Sequence, residues 1–351
     1  MTVRCAVPGT LPGRDFRRAA ELVASELAAP HLAALCELPD RGHHGRLLGR
    51  AAAQLQELYT ELTSYGWRLV ARPGADDQRA RALLRSDVDT LAEVRGERTE
   101  AGQAITDAVG LEILGPVSLA ALLHLPGGEK VLIDHGARRD LAQSLAAGAA
   151  DHVAHVRRSV APQRLRVTLL EPDYHRVRTG SVPTVSGYQS IRSLPRDETR
   201  GMLGVVIEAL RQAGADELML DFGSGAENEH TEDFRSQRGA EVDGFALPVH
   251  RATSADWERA AVLVEDGAQI VASLLHPEEP GALPEVSQLA ARLVQPWQAL
   301  GMPASSLSSF TVGAFGAAHR HLSAQLGEAA AMRTLTRLRD TAEALADRAA
   351  A

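Results

Sequence analysis

The sequence predicts an α/β fold, a (β/α)₈ barrel formed by residues 1–351 as one domain with a C-terminal helix. Three observations carry this prediction. Short apolar runs alternate with longer runs of helical period along the whole chain. The clearest unit is Val109 to Gly115, stopped by Pro116, because proline cannot donate to a β-ladder; a helix follows at once. The first strand-to-helix turn lacks a G-x-G-x-x-G pattern, which weakens the alternative of an open doubly wound sheet.

Val3 to Val7 reads as the first strand, with a turn-rich loop from Pro8 to Gly13 and a helix from Phe16 to Ala28 capped by Asp15. Pro30 to Gly45 reads as a loop carrying two solvated histidines, His43 and His44, and Leu47 to Leu62 as helix. Tyr65 to Ala71 is expected as the second strand, closed by Arg72-Pro73-Gly74, with Asp76 capping a helix to about Val94. The third strand, Val109 to Gly115, leads into a helix from Val117 to Leu123. Ala137 to Val156 is a long helix, with Leu141, Leu145, Ala149, His152 and Val156 on one stripe. Arg164 to Leu170 is the fourth strand, ended by Glu171-Pro172. A long loop then leads to a helix from Glu198 to Ala213. Glu217 to Phe222 is the fifth strand, followed by an acidic tract from Glu227 to Asp233, and Val242 to Leu247 is the sixth. Thr253 and Asp256 have capping-box spacing for a helix to Glu265. Ala268 to Leu275 is the seventh strand, ended by His276-Pro277, and Glu285 to Leu300 is helix. Ser308 to Val312 is the eighth strand, with its exit at Gly313, and alanine-rich helix runs from Ala317 onward.

A formal charge of -8 speaks against a nucleic-acid partner, which usually meets a basic face. No apolar run is long enough to span a membrane and no leader pattern opens the chain, so a cytoplasmic location is expected. Cys5 and Cys36 form neither a disulfide framework nor a metal-binding pair at a usual spacing. Lys130 is the only lysine; arginine takes its place elsewhere, which we read as a codon-composition effect.

In a barrel the chemistry stands at the C-terminal ends of the strands. Glu171 and Asp221 are therefore the candidate catalytic carboxylates. Gly9, Thr10, Gly115, Glu171 and His276 are the candidate substrate-binding residues, for a small-molecule ligand. A structural ion pair is the competing reading for Glu171, and a turn or cap for Asp221. Glu112 is expected to face the barrel interior as partner to an arginine. The acidic tract from Glu227 to Asp233 reads as a solvated loop, because its spacing matches no metal-binding loop. His152 and His155 share a helix face, which an amphipathic helix explains. A glycosidase built on Glu171 and Asp221 ranks low, since only 4% of the chain is aromatic and sugar sites favour aromatic platforms.

Several segments carry a family resemblance. They are Leu11-Pro-Gly-x-Asp15, Gly66-Trp-Arg-Leu-Val-x-Arg-Pro-Gly74, Gly115-Pro116, Asp134-His-Gly-Ala-Arg-Arg-Asp-Leu-Ala-Gln-Ser-Leu145, Glu171-Pro172 and Val182-Pro-Thr-x-Ser-Gly187. Together they resemble the short, actinobacterial-type relatives of cobalamin-independent methionine synthase, densely from about residue 8 to 190. The resemblance implies the barrel shared with uroporphyrinogen decarboxylase. It also implies methyl transfer from a methyltetrahydrofolate-type donor to a zinc-bound homocysteine thiolate, the zinc lowering the thiol pKa.

Carried over residue by residue, that zinc set is not found. The family's His and Cys at the fifth strand end correspond to Asp221 and Phe222-Gly223, its acidic ligand near the sixth to Ala246, and its Cys before a glycine at the eighth to Val312-Gly313. The substrate-amine acid before Glu-Pro is replaced by Leu170. The expectation is a methionine synthase-like barrel with no metal and no cofactor, binding a folate-like or amino-acid ligand or a partner protein. The alternatives are a methyltransferase with a changed acceptor or a recruited metal, or a decarboxylase-like site using Arg14, Arg17 and Arg72.

Overall fold

A computed structural model of the chain describes residues 2–223, 242–275, 283–314, 316 and 325–351. Among these residues ten strands form: β1 (Arg4–Cys5), β2 (Leu32–Ala34), β3 (Tyr59–Thr63), β4 (Gly66–Val70), β5 (Ala108–Leu114), β6 (Arg164–Leu170), β7 (Glu217–Asp221), β8 (Gly244–Pro248), β9 (Gln269–Ser273) and β10 (Phe310–Gly313). Eight of them pair in the order β1-β10-β9-β8-β7-β6-β5-β2, every pair parallel. A parallel bridge from Ala6 to Leu32 joins the two ends of that order, and the Val7 N–H donates to the Leu32 carbonyl at 3.3 Å. The sheet is thus a closed (β/α)₈ barrel.

The expected second strand is the main correction. Tyr65 to Ala71 does contain a strand, but β4 pairs antiparallel with β3 as a separate hairpin. The barrel's second strand is β2, inside the stretch read as loop. Leu32-Ala-Ala34 lacks the β-branched residues that mark strands, and it is held by register with Ala108–Gly110 of β5. The helix expected from Leu47 to Leu62 stops at Ala53, and its second half supplies β3.

The helices are α1 (Phe16–Glu26), α2 (Leu47–Ala53), α3 (Ala75–Glu100), α4 (Pro116–Leu122), α5 (His135–Ser159), α6 (Tyr174–Thr179), α7 (Arg196–Gln212), α8 (Ser254–Glu265), α9 (Val286–Ala299) and α10 (Glu328–Ala350). Asp15 caps α1 through the Arg18 N–H, and Thr253 with Asp256 forms the capping box of α8, both as expected. Asp76 does not cap α3. Gly74 is the cap residue, and the Asp76 carboxylate accepts from the Leu62 N–H at 3.1 Å and meets His44 Nε2 at 2.8 Å. The Leu62 bond and the His44 contact hold its pKa below the usual range. His44 is therefore a tie between the hairpin and α3, not a solvated loop residue; His43 is exposed.

The outward residues of the strands pack under the helices. On β5 these are Val109, Leu111 and Ile113, all buried, and the α5 stripe of Leu141, Leu145, Ala149 and Val156 is buried too. Among the described residues no helix is long and apolar enough to cross a membrane.

Candidate active site at the barrel mouth

The interior of the barrel builds up in layers from the N-terminal ends of the strands. The lowest layer is polar and internally satisfied. Arg4 donates to Glu217 at 2.8 Å and to Gln269 at 2.8 Å; Arg166 donates to Glu217 at 2.6 Å, Gln269 at 2.9 Å and Thr311 at 3.0 Å. These side chains come from β1, β6, β7, β9 and β10, strands around the ring, so their bonds cross the interior. Burial alone would raise the Glu217 carboxyl, but Arg166 and Arg4 outweigh it and hold it below the usual range. Burial lowers Arg166 to about 10 against the pull of Glu217.

Two residues further along each strand the interior narrows to small groups. Ala6, Ala34, Gly110, Ala246 and Gly313 line the space, with Thr168, Met219 and Val271 as the larger members. Barrels of this kind usually fill their middle with branched apolar side chains. Here the small residues leave a cavity of about 80 Å³, with Arg166 at its floor.

The rim of this cavity carries Glu112 from β5, Asp221 from β7, Ser273 from β9 and Thr10 from the loop after β1. Asp221 Oδ1 accepts from the Gly223 N–H at 2.8 Å, which holds the carboxylate at the strand end. A side chain at Gly9 would overlap the Glu112 carboxylate, so this glycine is what lets Glu112 lie across the mouth. A Cβ at Gly316 would stand 3.5 Å from Ser273 Oγ and 3.7 Å from Asp221 Oδ2, so this glycine lies close against both side chains. Thr10 is 2% exposed and its hydroxyl has no hydrogen-bond partner. Such an orphan costs about 1–3 kcal/mol unless a bound group satisfies it.

The structure thus brings Gly9, Thr10 and Asp221 together with Glu112, and separates them from the other predicted site residues. Glu171 does not open onto the cavity. It is wholly buried, and its carboxyl accepts from the Val117 N–H at 3.0 Å and the Ser118 N–H at 2.6 Å, on the first turn of α4. Burial dominates these bonds and pushes its pKa up to about 7. Gly115 is packed against the same carboxyl, where a Cβ would collide with it. His276 and the tract from Glu227 to Asp233 lie outside the described residues. Arg72 is exposed on the hairpin and Arg14 is exposed ahead of α1. Arg17 bridges α1 to α3 through Glu93 at 2.8 Å and Glu97 at 2.9 Å, away from the mouth.

Ser273, Thr168 and the ring of small residues were not anticipated. Their signal was available in the two-residue period of the strands. Once Arg166, Glu217 and Gln269 face inward, so do Thr168, Asp221 and Ser273.

A cysteine-bound zinc does not fit the mouth. The chain has two cysteines. Cys5 is buried against α10, where burial pushes its thiol up to about 12 with Arg339, Asp340 and Glu343 nearby. Cys36 is buried with its sulfur 3.6 Å from the Pro8 carbonyl, and it lines a separate apolar pocket beneath α1. The rim therefore offers carboxylates and hydroxyls, a donor set suited to ammonium or N–H groups and to hard cations. Among the described residues, no three His, Cys, Asp or Glu side chains converge as a metal site.

No family model matches the chain, and no curated protein matches it. A B12-independent methionine synthase from Shewanella sp. W3-18-1, solved in complex with selenomethionine, superposes with a TM-score of 0.53 at 11% identity, over 99% of this chain and 98% of that one. This likeness shows the barrel fold alone. A morphinone reductase mutant in complex with tetrahydroNAD reaches 0.38 at 15% identity, over 91% of this chain and 90% of that one. The carboxyl transferase domain of Rhizobium etli pyruvate carboxylase reaches 0.29 at 13%, over 75% and 44%. Neither of these two is close enough to carry weight.

Proposed function

We propose that this chain is a methionine synthase-like barrel that binds a small polar ligand of amino-acid or folate type at its mouth and does not run methyl transfer through a cysteine-bound zinc. One observation carries the reading: the rim of Glu112, Asp221, Ser273 and Thr10 over a hollow barrel, with both thiols placed elsewhere. The motif resemblance and the superposition on a methionine synthase support the kind of barrel. In this reading Asp221 and Glu112 accept hydrogen bonds from an ammonium or ring N–H of the ligand, and the Thr10 and Ser273 hydroxyls complete its shell. Glu171 holds α4 in place and does not touch the ligand.

A methyltransferase that recruits a metal through Glu171 is disfavoured, because its carboxyl is already engaged by two backbone N–H groups. The test is calorimetric titration with homocysteine, methionine and methyltetrahydrofolate, alongside elemental analysis and a methyl-transfer assay. We expect binding of one ligand class, weakened at least about tenfold by Asp221→Asn, the loss of roughly one charge-assisted contact. Stoichiometric zinc together with methylation of homocysteine overturns the proposal.

A further inference from the structure

We infer that the mouth takes a linear ω-amino acid of γ-aminobutyrate size, lying along the barrel axis with its carboxylate down on Arg166 and its ammonium up at Asp221. The inference rests on the reading of the mouth as a polar-ligand site and narrows it to one molecular shape. The cavity joins two levels of the barrel, with Arg166 below and Asp221, Ser273 and Thr10 above. The chemistry of each level, and the distance between them, select the ligand.

The floor closes in hydrogen bonds but not in charge. Glu217 is shared by Arg4 at 2.8 Å and Arg166 at 2.6 Å, and Arg164 pairs with Asp107 at 2.6 Å. Three guanidiniums thus meet two carboxylates, and the other partners of Arg166, Gln269 and Thr311, are neutral. Burial lowers Arg166 only to about 10, so it stays charged at neutral pH. Its Nε, Nη1 and Nη2 each give one N–H to these partners, out of the five that a guanidinium carries, which leaves one on each Nη. A carboxylate arriving from the cavity takes those two N–H groups and balances the surplus charge.

The strands set the length. Glu217, which Arg166 grips, opens β7, and Asp221 closes it. At a rise of about 3.3 Å per residue and a tilt of about 36°, the two ends of β7 lie roughly 11 Å apart along the axis. One hydrogen bond of about 3 Å at each end leaves roughly 5 Å between the ligand's nitrogen and its carboxylate oxygen. The amine and carboxylate of an α-amino acid share one carbon and stand only about 3 Å apart. The two further methylenes of γ-aminobutyrate make up the difference. Ala6, Ala246 and Gly313 wall the passage between the levels, and its volume of about 80 Å³ suits an unbranched chain with no side group. At the top the Thr10 hydroxyl, buried and without a partner, accepts from the ammonium beside Asp221.

The experiment is calorimetric titration of the full chain with γ-aminobutyrate, glycine, butyrate and propylamine. We expect one saturable site for γ-aminobutyrate, at least about tenfold tighter than for each of the other three. Butyrate lacks the ammonium and propylamine the carboxylate, so each removes one end of the ligand and leaves the fold untouched. Arg166→Gln should bring γ-aminobutyrate to the affinity of propylamine, and the propylamine arm tests the same contact should that variant fail to fold. Ala246→Val narrows the passage without altering a charge and should weaken γ-aminobutyrate by about tenfold or more with no loss of melting temperature. Glycine or propylamine binding as tightly as γ-aminobutyrate, or indifference to Ala246→Val, overturns the inference. So does binding of homocysteine, methionine or methyltetrahydrofolate without γ-aminobutyrate, which leaves the polar-ligand reading of the mouth standing. Binding of none of these overturns both.

Discussion

The two ends of the barrel interior use the same kinds of side chain to opposite effect. At the N-terminal end Arg4, Arg166, Glu217, Gln269 and Thr311 bond to one another across the interior. At the C-terminal end Glu112, Asp221, Ser273 and Thr10 surround a space, and the Thr10 hydroxyl bonds to nothing. A buried polar group that its neighbours satisfy specifies the fold; the unbonded Thr10 hydroxyl beside the cavity is available to a ligand. Position along the strands does not decide which is which. Glu171, just past the end of β6, belongs with the closed set because α4 satisfies it.

The contrast can be broken most severely at Glu217. Glu217→Ala strands two arginines at the barrel floor, and breaking a buried pair of this kind costs about 3–5 kcal/mol. Urea unfolding should show that loss; a loss under about 1 kcal/mol would mean the floor is not a closed network.

Glu171 gives the next largest effect, and its sign is fixed by the direction of its shift. Its folded pKa, about 7, lies above its ordinary 4.5, so the folded state holds the proton more tightly. The stabilisation from this group is complete below the ordinary value and is lost as pH rises through about 7. Over that window it amounts to at most about 3 kcal/mol. Glu171→Gln should flatten that part of the stability-against-pH curve measured by denaturant midpoints, while ligand affinity at the mouth stays as it was.

The smallest effect sharpens the other side. Thr10→Val removes a buried hydroxyl that makes no bond in the protein, so the ligand-free protein should gain stability, by about 1 kcal/mol, the low end of the cost of such an orphan. Ligand affinity should fall in the same variant. A clear drop in melting temperature would show that the hydroxyl serves the fold.

Much of the architecture was legible because its signals are local. Pro116 after Gly115, the apolar stripe from Leu141 to Val156 and the Thr253–Asp256 box each mark an element without help from the rest of the chain. Leu32 to Ala34 was illegible for the opposite reason. Alanines have no strand preference, and only pairing with Ala108–Gly110 makes that stretch a strand. The alternation of buried Trp67 and Leu69 in β4 was a true strand signal, but the partner was the neighbouring β3, which sequence periodicity does not reveal.

The placement of Asp221, Gly9 and Thr10 at the mouth was legible, because they stand at strand ends. It was not legible at Glu171, because whether a carboxylate faces a mouth or a helix N-terminus depends on backbone direction after the strand. The hollow itself is written in Ala6, Ala34, Gly110, Ala246 and Gly313. Small residues record no intention until the inward-facing parity of each strand is known.

The seam between β1 and β2 has a consequence of its own. The first two staves of the cask are tied by the Ala6–Leu32 bridge and the long Val7 bond, and the chain crosses that joint again at Thr10 and Glu37. Anything seated against Thr10 would act as a hoop over the joint. Occupancy of the mouth should then be visible from afar, as slower amide hydrogen exchange at Val7, Leu11 and Glu37, whose N–H groups stitch the two staves together.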